Sequence, residues 1–450
     1  GCLLYIIICI TLGFQLSLPI TETMQLGKKS VLPFRWLLPL LAIDSLTLLF
    51  RGFLDTDEEA GISRGILLLR QAATLLFVSI FARIFHDDGA HVSKLFMNRE
   101  VEYVYGAAGV AVGYLLGAAV GLILYIMFYF KALHRMQSSV NADRISKREN
   151  SNAIMGNNAL IISLAFAGMY GMHFLAQLLA MRMYRNEGML AGSYQWGIYS
   201  GVCCTISVIP VLLVILIHMG SSRQLALGMR QGDAHEVRIK CQGLSDVSML
   251  LTFFFMAFHF AAAKSIAIGL FGTESALAVR LIRYSSVAIV FTVYALNTSL
   301  ELFFMQKRSE LVLHALAALI AGGVVTGLLI SPQRLGIYAV ILGKTVFALV
   351  LSMTNQVTLI RKLRLRPDWQ GTFLWPFVYG LISGAVALLL TLLLGLFLPH
   401  LVVVILVFPI SFLICFAIAC IRGGITVYAL SSLPLGDFFI QLGRMLTVLR

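Results

Sequence analysis

The sequence predicts an all-α protein that crosses a membrane many times. Three observations lead there. Of 450 residues, 59% are hydrophobic and 12% charged, about half the charged share of a soluble domain, and the mean hydropathy is +0.89. The apolar residues form long continuous runs instead of the alternation expected of half-buried strands. The charged residues gather in the short stretches between the runs. A soluble core of this size needs a polar shell that these residues cannot supply.

Twelve runs are long enough to span a bilayer. The first, 1–20, reads "GCLLYIIICITLGFQLSLPI". At 1.5 Å per residue, about 20 residues cross a hydrocarbon core of roughly 30 Å. It has neither the basic lead nor the small-residue cleavage site of a secretory signal. Runs 32–53, 62–85 and 103–130 follow. The first of these carries Asp44 at its centre and Arg51 at its end, and the next carries Arg70. Run 154–181 holds His173, and run 194–218 contains "YQWGIYSG". Runs 244–270 (His259, Lys264), 280–303 (Glu301), 311–331 (His314) and 336–357 (Lys344) each carry a polar or ionisable side chain. The last two, 372–397 and 401–422, are almost purely apolar.

The connecting stretches set orientation. "RGFLDTDEEAGISR", "KALHRMQSSVNADRISKREN", "SSRQLALGMRQGDAHEVRIK", "QKRSE" and "RKLRLRPDWQ" alternate with a set poorer in Lys and Arg, among them "HDDGAHVSKLFMNRE", "GTES" and "LPH". The basic set is expected to face the cytoplasm, which puts the C-terminal tail inside. The net charge of +13 follows from these loops. It does not point to nucleic acid, because no basic patch is interleaved with aromatics. The seven cysteines lie mostly within apolar runs and lack metal-ligand spacing, so no metal is expected.

An internal repeat is visible. "GAAGVAVGYLLG" opens the fourth run and "GIYAVILGKTVF" the tenth, pairing Gly106 with Gly113 and Gly336 with Gly343 at the same spacing. Seven residues place both glycines on one helix face, where a neighbour can approach closely. The two runs are six apart, as duplicated six-helix halves require. The expected organisation is therefore 1–130 as the remainder of an N-terminal lobe, 131–152 as a cytoplasmic linker and 153–357 as a C-terminal six-helix lobe. Two extra helices over 358–422 and a tail over 423–450 complete it.

On these features the chain resembles the multidrug/oligosaccharidyl-lipid/polysaccharide exporter superfamily. Within it, the chain is most similar to the stage V sporulation protein B branch of polysaccharide biosynthesis proteins, which is related to the lipid II flippase. The likeness rests on "LLFRGF" with Arg51, Gly52 and Phe53, on "LLLRQAA" with Arg70, and on "GAAGVAVGYLLGAAVGL", "YQWGIYSG", "RKLRLRPDWQGTFLWP" and "RGGITVYALSSLPLGDFFIQLGRML". It spreads over essentially the whole chain. The chain departs from the family at "LDTDEE" and at "HMGSSRQ".

The resemblance implies helices three to fourteen of a fourteen-helix transporter, with two helices preceding this sequence and a cytoplasmic N-terminus in the full protein. It implies a monomer of the bacterial cytoplasmic membrane that flips a polyprenyl-diphosphate-linked saccharide by alternating access, without a cofactor. Coupling to H+ or Na+ and contact with membrane lipid come with it. The alternative is a cation-coupled multidrug antiporter of the same superfamily.

Ionisable groups inside spans are costly and usually face a cavity or a partner. Arg51, Arg70, Asp44, His173, Lys264, Glu301 and Lys344 are the candidate cavity residues, because a lipid diphosphate needs cations around it. Arg70 has a second reading, an ion pair with Asp44 one helix away. An enzyme reading finds no phosphate loop, His-Glu-x-x-His pair or Gly-x-Ser-x-Gly elbow. "HDD" at His86–Asp88 is the one candidate for a membrane transferase, in a loop expected outside.

Overall fold

A computed structural model describes residues 2–23, 28–54, 60–98, 100–139, 168, 170–182, 189–231, 234–305, 307–331, 334–363, 368–424, 430 and 436–445. Every regular element among them is helical. Ten helical stretches in the described residues are long and apolar enough to cross a membrane. The chain is an all-α, multi-pass membrane protein. It divides into two compact units, Gly1–Arg148 and Glu149–Arg450.

Unit one begins with α1 (Cys2–Gln15) and α2 (Ser17–Thr23). The expected first span 1–20 is thus two short helices, and the residue identities explain the break. Pro19 has no N–H to donate to the Gln15 carbonyl, and its ring crowds that group, so the first helix ends there. The chain nonetheless keeps turning, with the Leu16 amide on the Leu12 carbonyl (2.7 Å) and the Ile20 amide on the Leu16 carbonyl (2.9 Å).

Three long helices follow: α3 (Val31–Leu54), α4 (Ala60–Phe96) and α5 (Glu100–Ser139). α5 packs along both α4 and α3. A ladder of glycines on α5 lets it lie almost against α4. A β-carbon at Gly109 would sit 2.3 Å from the Phe81 carbonyl oxygen, one at Gly113 2.5 Å from Val78 Cα, and one at Gly117 2.1 Å from Thr74 Oγ1. Gly106 is looser, with His86 Cβ at 3.5 Å. The expected loop 86–100 is mostly the last turns of α4, so His86, Asp87 and Asp88 are helical. Polarity alone does not end a helix, and Gly89 instead admits Tyr105 of α5 at 2.6 Å from its would-be β-carbon.

Unit two contains α6 (170–182), α7 (Met189–Ile198), a π-helical turn (Tyr199–Cys204), α8 (Thr205–Gln231) and α9 (Ala234–Ala261). Then come α10 (Ala263–Phe271), α11 (Ala276–Phe304), α12 (Arg308–Leu329) and α13 (Tyr338–Leu363). A second π-helical turn (Gln370–Leu374), α14 (Trp375–Leu394), α15 (His400–Ile421) and the short α16 (Gly436–Met445) close the chain. Most of the expected span 154–181 and much of the linker 131–152 lie outside the described residues. The stretch 221–240, expected as a loop, is helical on both sides of residues 232–233.

α9 is the hub of this unit, packing against α8, α11, α14 and α15. Phe254 is buried against Phe258, Phe408 and Phe412, with ring centroids 5.2–6.0 Å apart. On another side, Gly380 of α14 abuts the Phe253 carbonyl oxygen, 2.7 Å from a would-be β-carbon.

The repeat glycines of this unit differ from expectation. Gly343 lies on a tight α12–α13 crossing, where a β-carbon would meet Thr326 Oγ1 at 1.8 Å. Gly336 precedes α13 and adopts φ +54 in the turn that leads into it. It therefore shares no helix face with Gly343. Its backbone freedom is what the turn requires.

Candidate functional site

The principal candidate site is a cavity of about 490 Å³ within unit two, between α6, the first π-helical turn with α8, α11 and α13. Its one lysine is Lys344. The fold aims that residue by way of its neighbour. Gly343 is pressed against α12, and the next residue of a helix points about 100° away, which turns Lys344 into the cavity.

Lys344 Nζ lies 3.0 Å from His173 Nδ1, 3.8 Å from Cys204 Sγ and 5.1 Å from the centre of the Tyr199 ring. With Lys344 as an ammonium, which only donates, His173 would accept through Nδ1 and carry its proton on Nε2. None of these partners is anionic in its neutral form. Among the described residues, no Asp or Glu lines the cavity. Around Lys344 Nζ the described lining offers dipoles and a π face and no carboxylate, so an ammonium there would lack a counter-ion.

The walls are amphipathic. His173 stacks obliquely on Trp196 at 5.5 Å, and Trp196 on Tyr199 at 5.4 Å. Ser207, Ser285, Thr292 and Gln177 supply hydroxyls and an amide, while Val211, Ile289 and Phe347 supply apolar surface. The rim carries the exposed side chains of Tyr170, Phe174 and Val208, so the cavity is open. The π-helical turn is what carries Tyr199, Cys203 and Cys204 onto this wall. Such turns recur at functional sites because they shift the side-chain register of a helix.

Of the seven residues expected in a cavity, His173 and Lys344 come together here. Arg70 and Asp44 pair with each other in unit one, Nη2 to Oδ1 at 2.5 Å. The stem of Arg70 crosses Gly121 of α5, with Cδ 2.7 Å from a would-be β-carbon. The ion-pair reading of Arg70 is thus the geometry seen. Arg51 is half-buried at the end of α3, and beside it Gly52 is exposed with nothing near a would-be β-carbon. Lys264 is exposed on α10 and lines no part of the cavity. Glu301 is buried on α11, where it accepts a 3.0 Å hydrogen bond from Ser245 Oγ of α9.

Three histidines outside the cavity are held in local surroundings. His314 Nδ1 meets Asn355 Oδ1 at 2.8 Å, and His86 Nε2 meets Glu102 Oε1 at 3.0 Å. His259 is walled in by Phe255 and Phe258. Sequence reasoning missed Tyr199, Cys204 and Ser285 as cavity residues. They are ordinary residues of apolar runs, and only the "YQWGIYSG" stretch that ends in the π-helical turn marked the region.

Fold and site together define a multi-pass helical membrane protein with an amphipathic cavity around Lys344 in its second unit. No family model matches the chain, and no curated protein matches it in sequence.

Proposed function

We propose that the protein is an exporter of the multidrug/oligosaccharidyl-lipid/polysaccharide type. It moves a polyprenyl-diphosphate-linked saccharide across a bacterial cytoplasmic membrane by alternating access, with its C-terminus in the cytoplasm and two six-helix halves plus two further helices. The supporting observation is the carboxylate-free cavity around Lys344. Its volume of about 490 Å³ lies in the range of ligand sites, about 300–1,000 Å³. A cation within hydroxyl-bearing and aromatic walls suits an anionic head group that carries a sugar. The open, apolar rim suits the lipid end.

The antiporter alternative would need acidic cavity residues to attract cationic drugs. The lining supplies none among the described residues, so the exporter is favoured. A transferase is disfavoured because His86 is engaged with Glu102 and Asp87.

Reconstitution tests the reading. Proteoliposomes holding a labelled polyprenyl-diphosphate saccharide in one leaflet should show protein-dependent transfer. Lys344→Gln should reduce that transfer about tenfold or more, the effect of losing roughly 1.4 kcal/mol of charge-assisted binding, at unchanged protein content. Transfer by Lys344→Gln at the wild-type rate would exclude this cavity as the head-group site.

A further inference from the structure

Two nucleophiles meet in the cavity of unit two. Lys344 Nζ lies 3.8 Å from Cys204 Sγ, and both residues line the open space. The other described thiols of this unit, Cys203, Cys241, Cys415 and Cys420, are buried, whereas Cys204 is half-buried. The rim residues Tyr170, Phe174 and Val208 are exposed, so a small uncharged molecule can reach the sulfur. Binding of a head group makes no use of a thiol.

A cysteine oxidised in this place has few fates. Two-electron oxidation gives a sulfenic acid, which a second thiol or a nitrogen traps. Cys203 is badly placed to be that thiol. Neighbouring Cα atoms are about 3.8 Å apart, short of the roughly 4.4–6.8 Å that a disulfide usually spans. Cys203 is also buried, with its sulfur hydrogen-bonded to Ser285. The nitrogen at hand is Lys344 Nζ, on a flexible four-carbon stem. His173 Nδ1, 3.0 Å from the same nitrogen, is placed to take its proton.

The geometry points to a reversible sulfur–nitrogen cross-link between Cys204 and Lys344, formed by peroxide. The Cys204 sulfur attacks one peroxide oxygen and the O–O bond breaks, giving the sulfenic acid and one water. Lys344 passes a proton to His173, its nitrogen lone pair attacks the sulfur, and the S–O bond breaks. The leaving hydroxyl takes a further proton from that nitrogen and departs as a second water. Sulfur is oxidised by two electrons and peroxide is reduced by two. Two thiols of a reductant reverse the step. The first takes the sulfur into a mixed disulfide and frees the amine, and the second releases Cys204. The bond ties α13 to the π-helical turn before α8. It forms whatever the cavity carries, but its effect on transfer rests on Lys344 holding the head group.

The test is peptide mass spectrometry of the purified full chain after hydrogen peroxide. The expected product joins the peptides of Cys204 and Lys344 at their summed mass less two hydrogens, and dithiothreitol separates them. Cys204→Ser should lose the product and Cys203→Ser should keep it. Lys344→Gln should lose it and leave Cys204 as a sulfenic acid that a 1,3-dione labels. The wild-type product decides the matter should a variant fail to fold. Free Cys204 sulfenic acid in the wild type, labelled as heavily as in Lys344→Gln with no joined peptide, would overturn the cross-link. So would joining of Cys204 to Cys203 in its place. In proteoliposomes, peroxide should lower wild-type transfer by about tenfold or more, the loss expected of Lys344→Gln, and dithiothreitol should restore it. The Cys204→Ser rate should not respond to peroxide. A joined peptide with transfer unchanged would establish the cross-link and overturn the head-group role of Lys344.

Discussion

Arg70 and Asp44 show how a pair of side chains decides between two meanings of a charge. Alone, an arginine in the middle of "GILLLRQAATLL" costs about 2.5–3.5 kcal/mol to insert, which suggests function. Paired at 2.5 Å with a carboxylate on the neighbouring helix, its charge has a structural answer. Arg70→Leu should then leave Asp44 uncompensated and destabilise unit one by about 2–3 kcal/mol. The loss would read as a lower Tm and less protein in the membrane. The Arg70→Leu, Asp44→Leu double variant should recover most of it, as replacement of a whole pair by apolar residues often does. A double variant no more stable than Arg70→Leu alone would show that the pair contributes nothing. Both residues were legible as costly. Their pairing was one of two readings, because sequence does not show which faces of two helices meet.

At the scale of elements, the spans were legible wherever the bilayer alone dictates the pattern. Ten described stretches are long and apolar enough to cross, and each overlaps a run visible in the sequence. Helix ends were not legible in the same way. α4 and α8 continue well past their apolar runs, because neither stretch holds a proline to break the helix, and Gly89, Gly220 and Gly228 stay within it. Lys240 and Glu236 pair four apart on α9 in just such a stretch. The glycine ladder of α5 was half visible, since spacing showed the face but not its tightness. Gly113→Ala would force a methyl to 2.5 Å from the backbone of Val78, whereas at Gly106 the nearest atom is 3.5 Å away. The first should cost about 1–3 kcal/mol by overpacking and the second little. Comparing the Tm of the two variants checks this. Equal values would mean that α4 and α5 can separate freely.

At the scale of the whole molecule, the cavity around Lys344 was the least legible feature. It needs α6, α8, α11 and α13 brought to one place by a π-helical turn and a glycine crossing, neither of which periodicity reveals. Orientation is predicted from the loops instead. Residues 131–152 carry Lys131, Arg135, Arg144, Lys147 and Arg148, and residues 358–370 carry Arg361, Lys362, Arg364 and Arg366. The connections at 272–275 and 398–400 hold no lysine or arginine. Basic residues close to span ends are retained on the cytoplasmic side, so the first two stretches should face inward and the last two outward. Single cysteines placed in each, on a background freed of the seven native ones, separate the cases. A membrane-impermeant thiol reagent applied to intact cells should label 272–275 and 398–400. It should reach 131–152 and 358–370 only after permeabilisation. Ready labelling of both basic stretches in intact cells would invert the topology. The Lys344 cavity would then have to be reassigned to a protein that works in the opposite direction.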